Sequence, residues 1–179
     1  MMDNTTKRAF LICGAESSGS RFVTEAFIAA GCDGESGHHQ RFDTTFHGAA
    51  DIIVWRRSFP HGGYWPNIFL MKQTLSLHEY YDVTMIITLR DYYSMIESQI
   101  KAGHITDREQ GEQNIHSAYA RIFAESRRLQ LPIRLAVYDA YVHNPKTLER
   151  LLQSCHLTLQ KPLSIYDANA KYSGDLQPE

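Results

Sequence analysis

A chain of 179 residues with 18 Lys and Arg against 20 Asp and Glu has room for one domain with a full hydrophobic core. Its near-neutral charge supplies no global field to recruit nucleic acid or a membrane surface, so any basic site must be local. No apolar run approaches membrane-spanning length, and the polar start MMDNTTKR lacks the hydrophobic segment of a secretory signal, so a cytoplasmic location is expected. Cys13, Cys32 and Cys155 are odd in number, far apart and outside any CxxC spacing. That suits reduced thiols better than a disulfide framework or a zinc site, with Cys13 and Cys155 as small core residues.

The rest of the chain is organised around AFLICGAESSGSRFVTEAF, residues 9–27. Ala9, Phe10, Leu11, Ile12 and Cys13 read as a buried strand, and Phe22, Val23, Ala26, Phe27 and Ala30 recur at helical spacing. The turn between them carries Gly14 and Gly19, which let the backbone fold around an anion. The first helical amides, Ser18 to Arg21, face that anion with the positive end of the helix dipole behind them. A Walker A loop would continue with Lys and then Ser or Thr, whereas Gly19 is followed by Ser20 and Arg21. The lysine for the outer phosphates and the hydroxyl for Mg²⁺ are both absent.

Residues 31–45 are rich in Gly, Asp, Ser and His and read as a connecting loop; the adjacent His38 and His39 share no helix face and have no carboxylate at a ligand spacing. A second buried strand, 51–55, runs into Arg56-Arg57-Ser58-Phe59-Pro60-His61. Two arginines at its carboxyl end would emerge beside the first loop. Residues 65–70 read as short irregular or helical structure and 72–81 as weakly helical. VTMIITL, 83–89, is the clearest buried strand and ends in Arg90-Asp91. Helices are expected over 92–102, stopped by Gly103, and over 107–130, with a strand over 133–138. A last helix begins at Asn144-Pro145 and buries Leu148, Leu151, Leu152 and Cys155. Strands alternating with helices predict an α/β fold, three-layer α/β/α, with a central parallel sheet of about four to five strands of the P-loop nucleotide-binding type, in a single domain over 1–179.

Four stretches, in the same order, resemble the PAPS-dependent sulfotransferase family, whose members transfer a sulfuryl group from 3′-phosphoadenosine 5′-phosphosulfate (PAPS) to a hydroxyl or amine. Ser17-Ser18-Gly19-Ser20-Arg21 is similar to the family's 5′-phosphosulfate loop, with Ser17 where a basic residue is expected. Arg90, at a strand end before Asp91 and eight residues ahead of Ser98, resembles its 3′-phosphate site. An arginine fork suits phosphate, and a serine two turns along the next helix adds a hydroxyl from the same side. Residues 136–141 with Asn144-Pro145 resemble its late strand and following helix. Arg56-Arg57-Ser58-Phe59-Pro60 resembles its Lys-Thr-His-Leu-Pro stretch, with Arg56 in the lysine's place and Ser58 in that of the catalytic His. Lys171-Tyr172-Ser173-Gly174-Asp175 echoes its last basic segment.

The resemblance implies that the turn Ser17 to Arg21 holds the 5′-phosphosulfate and that Arg21 or Arg56 replaces the missing cation. It also implies that Arg90, Ser98 and Lys171 meet the 3′-phosphate, and that adenosine 3′,5′-bisphosphate is the product. His61 or Glu16 would deprotonate a small-molecule or carbohydrate acceptor, without a metal. Two other readings stay open: a P-loop phosphotransferase using ATP, with Asp91 as its Mg²⁺ carboxylate, and a catalytically silent nucleotide-binding module, to which Ser17 and Ser58 point. Phe42, Phe46, His47, Trp55, Tyr64 and Trp65 offer an acceptor wall, although aromatics at this density are more often packing.

Overall fold

Successive side chains leave a strand on opposite faces. The opening strand, β1 (Lys7–Ala15), shows this directly: Ala9, Leu11, Cys13 and Ala15 join one buried cluster, Phe10 and Ile12 another. The computed structural model describes residues 6–35, 43–46 and 48–169. After β1 come α1 (Ser20–Ala29), β2 (Asp33–Gly34), β3 (Ile52–Phe59), α2 (Ile68–Leu77), β4 (Tyr80–Leu89), α3 (Tyr92–Lys101), α4 (Arg108–Arg128), β5 (Ile133–Val137), α5 (Tyr138–His143) and α6 (Lys146–Ser154). The strands make one five-stranded, all-parallel sheet in the order β2-β3-β1-β4-β5. Helices α2, α3 and α4 fill the first cluster with Met71, Leu75, Met95, Ile115 and Ile122; α1, α5 and α6 fill the second with Val23, Phe27, Tyr141, Leu148 and Leu152. This is the three-layer α/β/α arrangement that the alternation predicts.

The strand order also locates a crevice. From β1 the chain leaves towards β2 and β3, and from β4 it leaves towards β5, so the two central strands part company at their carboxyl ends. In open α/β sheets that is where ligands sit.

Several boundaries differ from the sequence reading. Strand β3 does not stop before the arginines but runs through them, pairing Arg56 with Ile12 and Arg57 with Cys13 of β1. Alternation therefore sends the two side chains to opposite faces. Arg57 joins Trp55 and Phe59 beneath α2, only 4% exposed, while Arg56 emerges on the α1 face. Strand β4 starts at Tyr80 rather than at 83, and α2 takes in the second half of 65–70, read as irregular or helical, and much of the stretch read as weakly helical. The two-residue β2 lies inside the expected loop, and Tyr138 begins α5 instead of ending β5. Gly103, at φ 71°, follows α3 as expected, and the Asn144 side chain accepts a hydrogen bond from the Lys146 amide at 3.2 Å ahead of α6. All three cysteines are buried thiols. Among the described residues no helix is long and apolar enough to cross a membrane. His38, His39, Phe42, His47 and residues 171–175, Lys171 included, lie outside the described residues.

Candidate anion-binding site

The turn after β1 is seated on β4. A Cβ at Gly14 would collide with the hydroxyls of Thr88 and Ser18, which hydrogen-bond to each other at 2.6 Å beneath the turn. The Ser18 amide donates to the Ala15 carbonyl at 3.0 Å; Ser17 and Gly19 then take left-handed backbone angles, φ 68° and 85°. At Gly19 a side chain would be strained and would also press on the Tyr138 ring, 2.7 Å away. Helix α1 starts with no side-chain cap and no acidic residue in its first turn, so its leading amides and the positive end of its dipole are left for a ligand.

Three arginines converge on this helix end. Arg21 is exposed on its first turn and pairs with Glu25 at 3.1 Å. Arg56 reaches the Ser20 hydroxyl from β3 at 3.4 Å, and that hydroxyl lies 3.4 Å from Ser58. Burial, then the like charges of Arg21 and Arg57, push the Arg56 pKa down to about 10 against an opposing contribution from Glu25. It stays charged at neutral pH, and an incoming anion would relieve that crowding. Arg90 lies just past β4. Its Nη1 donates to the Ser17 carbonyl at 3.0 Å, its Nε donates to Asn169 Oδ1 at 2.6 Å, and its guanidinium sits 5.0 Å over the Tyr138 ring. Its Nη2 is buried with no hydrogen-bond partner among the described residues. A buried, unmatched donor on a cation is costly unless a ligand completes it.

The same lining holds one carboxylate, Glu16. Glu16 is 9% exposed; its amide donates to the Phe59 carbonyl at 3.3 Å and its carbonyl accepts from the Gln99 amide group at 2.9 Å. Its carboxylate lies 3.1 Å from Nδ1 of His104. Burial raises the Glu16 pKa, opposed first by His104 and then by the Gly62 amide. His61 also lines the cleft, its backbone paired with Tyr64 through hydrogen bonds of 2.7 and 3.0 Å.

Together Glu16, Ser17, Gly19, Ser20, Arg21, Arg56, Ser58, His61, Arg90 and His104 line an open cleft of about 300 Å³. No model of a known protein family matches this chain, and no curated protein matches it. What the site can do therefore rests on its own residues. The cleft gathers most of the residues singled out in the sequence, with two differences. Ser18 lies under the turn, fully buried, its hydroxyl spent on Thr88, and Ser98 is half-buried on α3 and does not line the cleft. Of the residues proposed as an acceptor wall, the four that are described lie elsewhere: Trp55 is buried in the α2-side core, Phe46 packs on it and on Tyr80, and neither Tyr64 nor Trp65 lines the cleft. Asp91 caps α3, accepting from the Ser94 amide at 2.7 Å, and is not among the residues that line the cleft. The sequence reading missed His104, Tyr138 and Asn169. The one local signal was Gly103-His104, a helix-stopping glycine that turns the next residue back towards the sheet.

Proposed function

We propose that the chain transfers a sulfuryl group from PAPS to a hydroxyl or amine of a small-molecule or carbohydrate acceptor in the cytoplasm. The observation that carries this reading is Arg90, whose guanidinium is bonded to the Ser17 carbonyl of the glycine turn and keeps one buried donor unmatched beside it. A donor with a phosphate at each end of its ribose needs two anion-holding corners in one cleft. The turn with the α1 amides offers one and Arg90 offers the other.

In that reading the amides of the α1 start and the Ser20 hydroxyl hold the 5′-phosphosulfate, with Arg56 and Arg21 beside the bridge to sulfur. The sulfuryl group moves in line to the acceptor, and the arginines stabilise the charge that gathers on the departing phosphate oxygen. Positioning and charge stabilisation do most of the work. Calorimetric titration tests the reading. Adenosine 3′,5′-bisphosphate is expected to bind without Mg²⁺, and Arg90→Ala to weaken it by roughly 10- to 100-fold, the worth of a charge-assisted hydrogen bond. Binding of ATP only with Mg²⁺, or an unchanged affinity in Arg90→Ala, would sink it.

A further inference from the structure

We propose that His104, its ring held by the Glu16 carboxylate, is the base that takes the proton from the acceptor. The reaction itself rests on the sulfuryl-transfer reading; the pairing of the two side chains does not.

These residues are 88 positions apart in the sequence, and three backbone features bring them together. Glu16 is fixed from both sides, by the Phe59 carbonyl and by Gln99. Helix α3 ends in a tight closure in which the Gly103 amide donates to the Ile100 carbonyl at 2.9 Å and the His104 amide to the Gln99 carbonyl at 3.0 Å, with Gly103 in the left-handed region. That closure throws the imidazole over the cleft. Gln99 takes part twice: its side chain holds the Glu16 backbone and its carbonyl holds the His104 amide. The two halves of the pair thus share one buried anchor, 1% exposed.

The contact of 3.1 Å uses Nδ1, so a neutral ring donates there and presents the Nε2 lone pair. The His104 side chain is 43% exposed along the cleft, and Nε2 has no hydrogen-bond partner among the described residues. A carboxylate behind an imidazole fixes its tautomer and stabilises the imidazolium that forms on proton uptake. Glu16 itself is poorly placed for the task, because burial and its two partners tie it into the wall. In the step, the acceptor O–H bond breaks and its electron pair forms the new bond to sulfur. The bond from sulfur to the bridging oxygen breaks, its pair staying on the 5′-phosphate of the bisphosphate, and the proton ends on His104 Nε2. Glu16 is a positioning residue.

The test uses the full chain. At about pH 8, ¹⁵N spectra of the ring are expected to show the Nδ1–H tautomer in the native protein and a mixture in Glu16→Gln. A dominant Nε2–H form would overturn the proposal. Bisphosphate release from PAPS is followed with water and with phenol, alcohol and hexosamine acceptors. His104→Gln keeps a donor for Glu16 and is expected to retain the native melting temperature and bisphosphate affinity while losing turnover by roughly 100-fold or more. Unchanged turnover in His104→Gln, or a loss of bisphosphate affinity as large as the loss of turnover, would also overturn the proposal. Failure of the native protein to bind bisphosphate would remove the sulfuryl-transfer reading alone, and the ring spectra would then decide the pair.

Discussion

Arg56 and Arg57 are neighbours on one strand, yet each meets a different electrical environment. Arg57 lies under α2 with its Nε 3.7 Å from the Asp43 carboxylate, its Nη2 donating to the Thr45 carbonyl at 3.1 Å, and its guanidinium 5.0 Å over the Trp55 ring. Asp43 in turn accepts from the Tyr64 hydroxyl and the Asn67 amide, each at 2.6 Å. This charge is spent inside the protein, where it ties the 43–46 segment to the start of α2. Arg56 instead stands among like charges beside serine hydroxyls at the cleft. The same residue type thus serves the core on one face of β3 and the candidate anion site on the other. The carboxylates repeat the contrast: Asp43 is surrounded by donors, whereas burial opposes the charge of Glu16.

The sharpest way to break this comparison is to remove each charge in turn. Arg57→Leu leaves a buried Asp43 without its cation and is expected to cost about 3–5 kcal/mol, lowering the melting temperature by roughly 10 °C. Arg56→Leu is expected to leave the melting temperature within ~2 °C of native, or to raise it, while weakening bisphosphate by about 10- to 100-fold. Equal losses of stability in the two variants would erase the distinction.

A smaller effect sharpens the cleft side. Bisphosphate at about 100 times its dissociation constant is expected to stabilise the native chain by about 2.7 kcal/mol, a rise of roughly 5–10 °C in a thermal scan. Arg56→Leu should lose most of that rise at the same ligand concentration, and Arg57→Leu should keep it from its lower starting point. The smallest effect belongs to Glu16. Because burial lifts its pKa above the ordinary carboxylate value of 4.5, the native state holds that proton more tightly than the unfolded chain. Stability from this group is complete below that ordinary value and is lost as pH rises through the raised one. Glu16→Gln is therefore expected to melt ~1–3 °C higher than native near pH 7, with the difference closing towards about pH 4, whatever it does to turnover.

Elements with a clean period were legible from the residues alone. Residues 9–13 and 83–89 are continuous apolar runs, and the stripes of α4 and α6 repeat at helical spacing, so the layered sheet follows from them. Strand β3 was cut short because two adjacent arginines look like the end of a buried segment. Only alternation with Trp55 and Phe59, and an Asp43 supplied from a loop 14 residues earlier, makes a buried Arg57 tolerable. Helix α5, of six residues, and β2, of two, are too short to carry a period. The glycine turn and Arg90 were readable because they follow strand ends, whereas Arg56 reaches the cleft from inside β3, by alternation. Ser98 was not, since half a turn of helix decides which side a hydroxyl faces. His104 was invisible because its meaning comes from Glu16, and only the folded sheet brings the two together.

The three thiols have a practical consequence. Burial pushes Cys13 and Cys32 up to about 12 and raises Cys155, so none presents a reactive thiolate while the chain is folded. One sits in the central strand, one where the first helix exits and one at the end of the last helix. Alkylation resolved by peptide mass would therefore act as three built-in clocks, one timing the opening of the sheet and two the opening of the α1 and α6 layer, without any introduced probe.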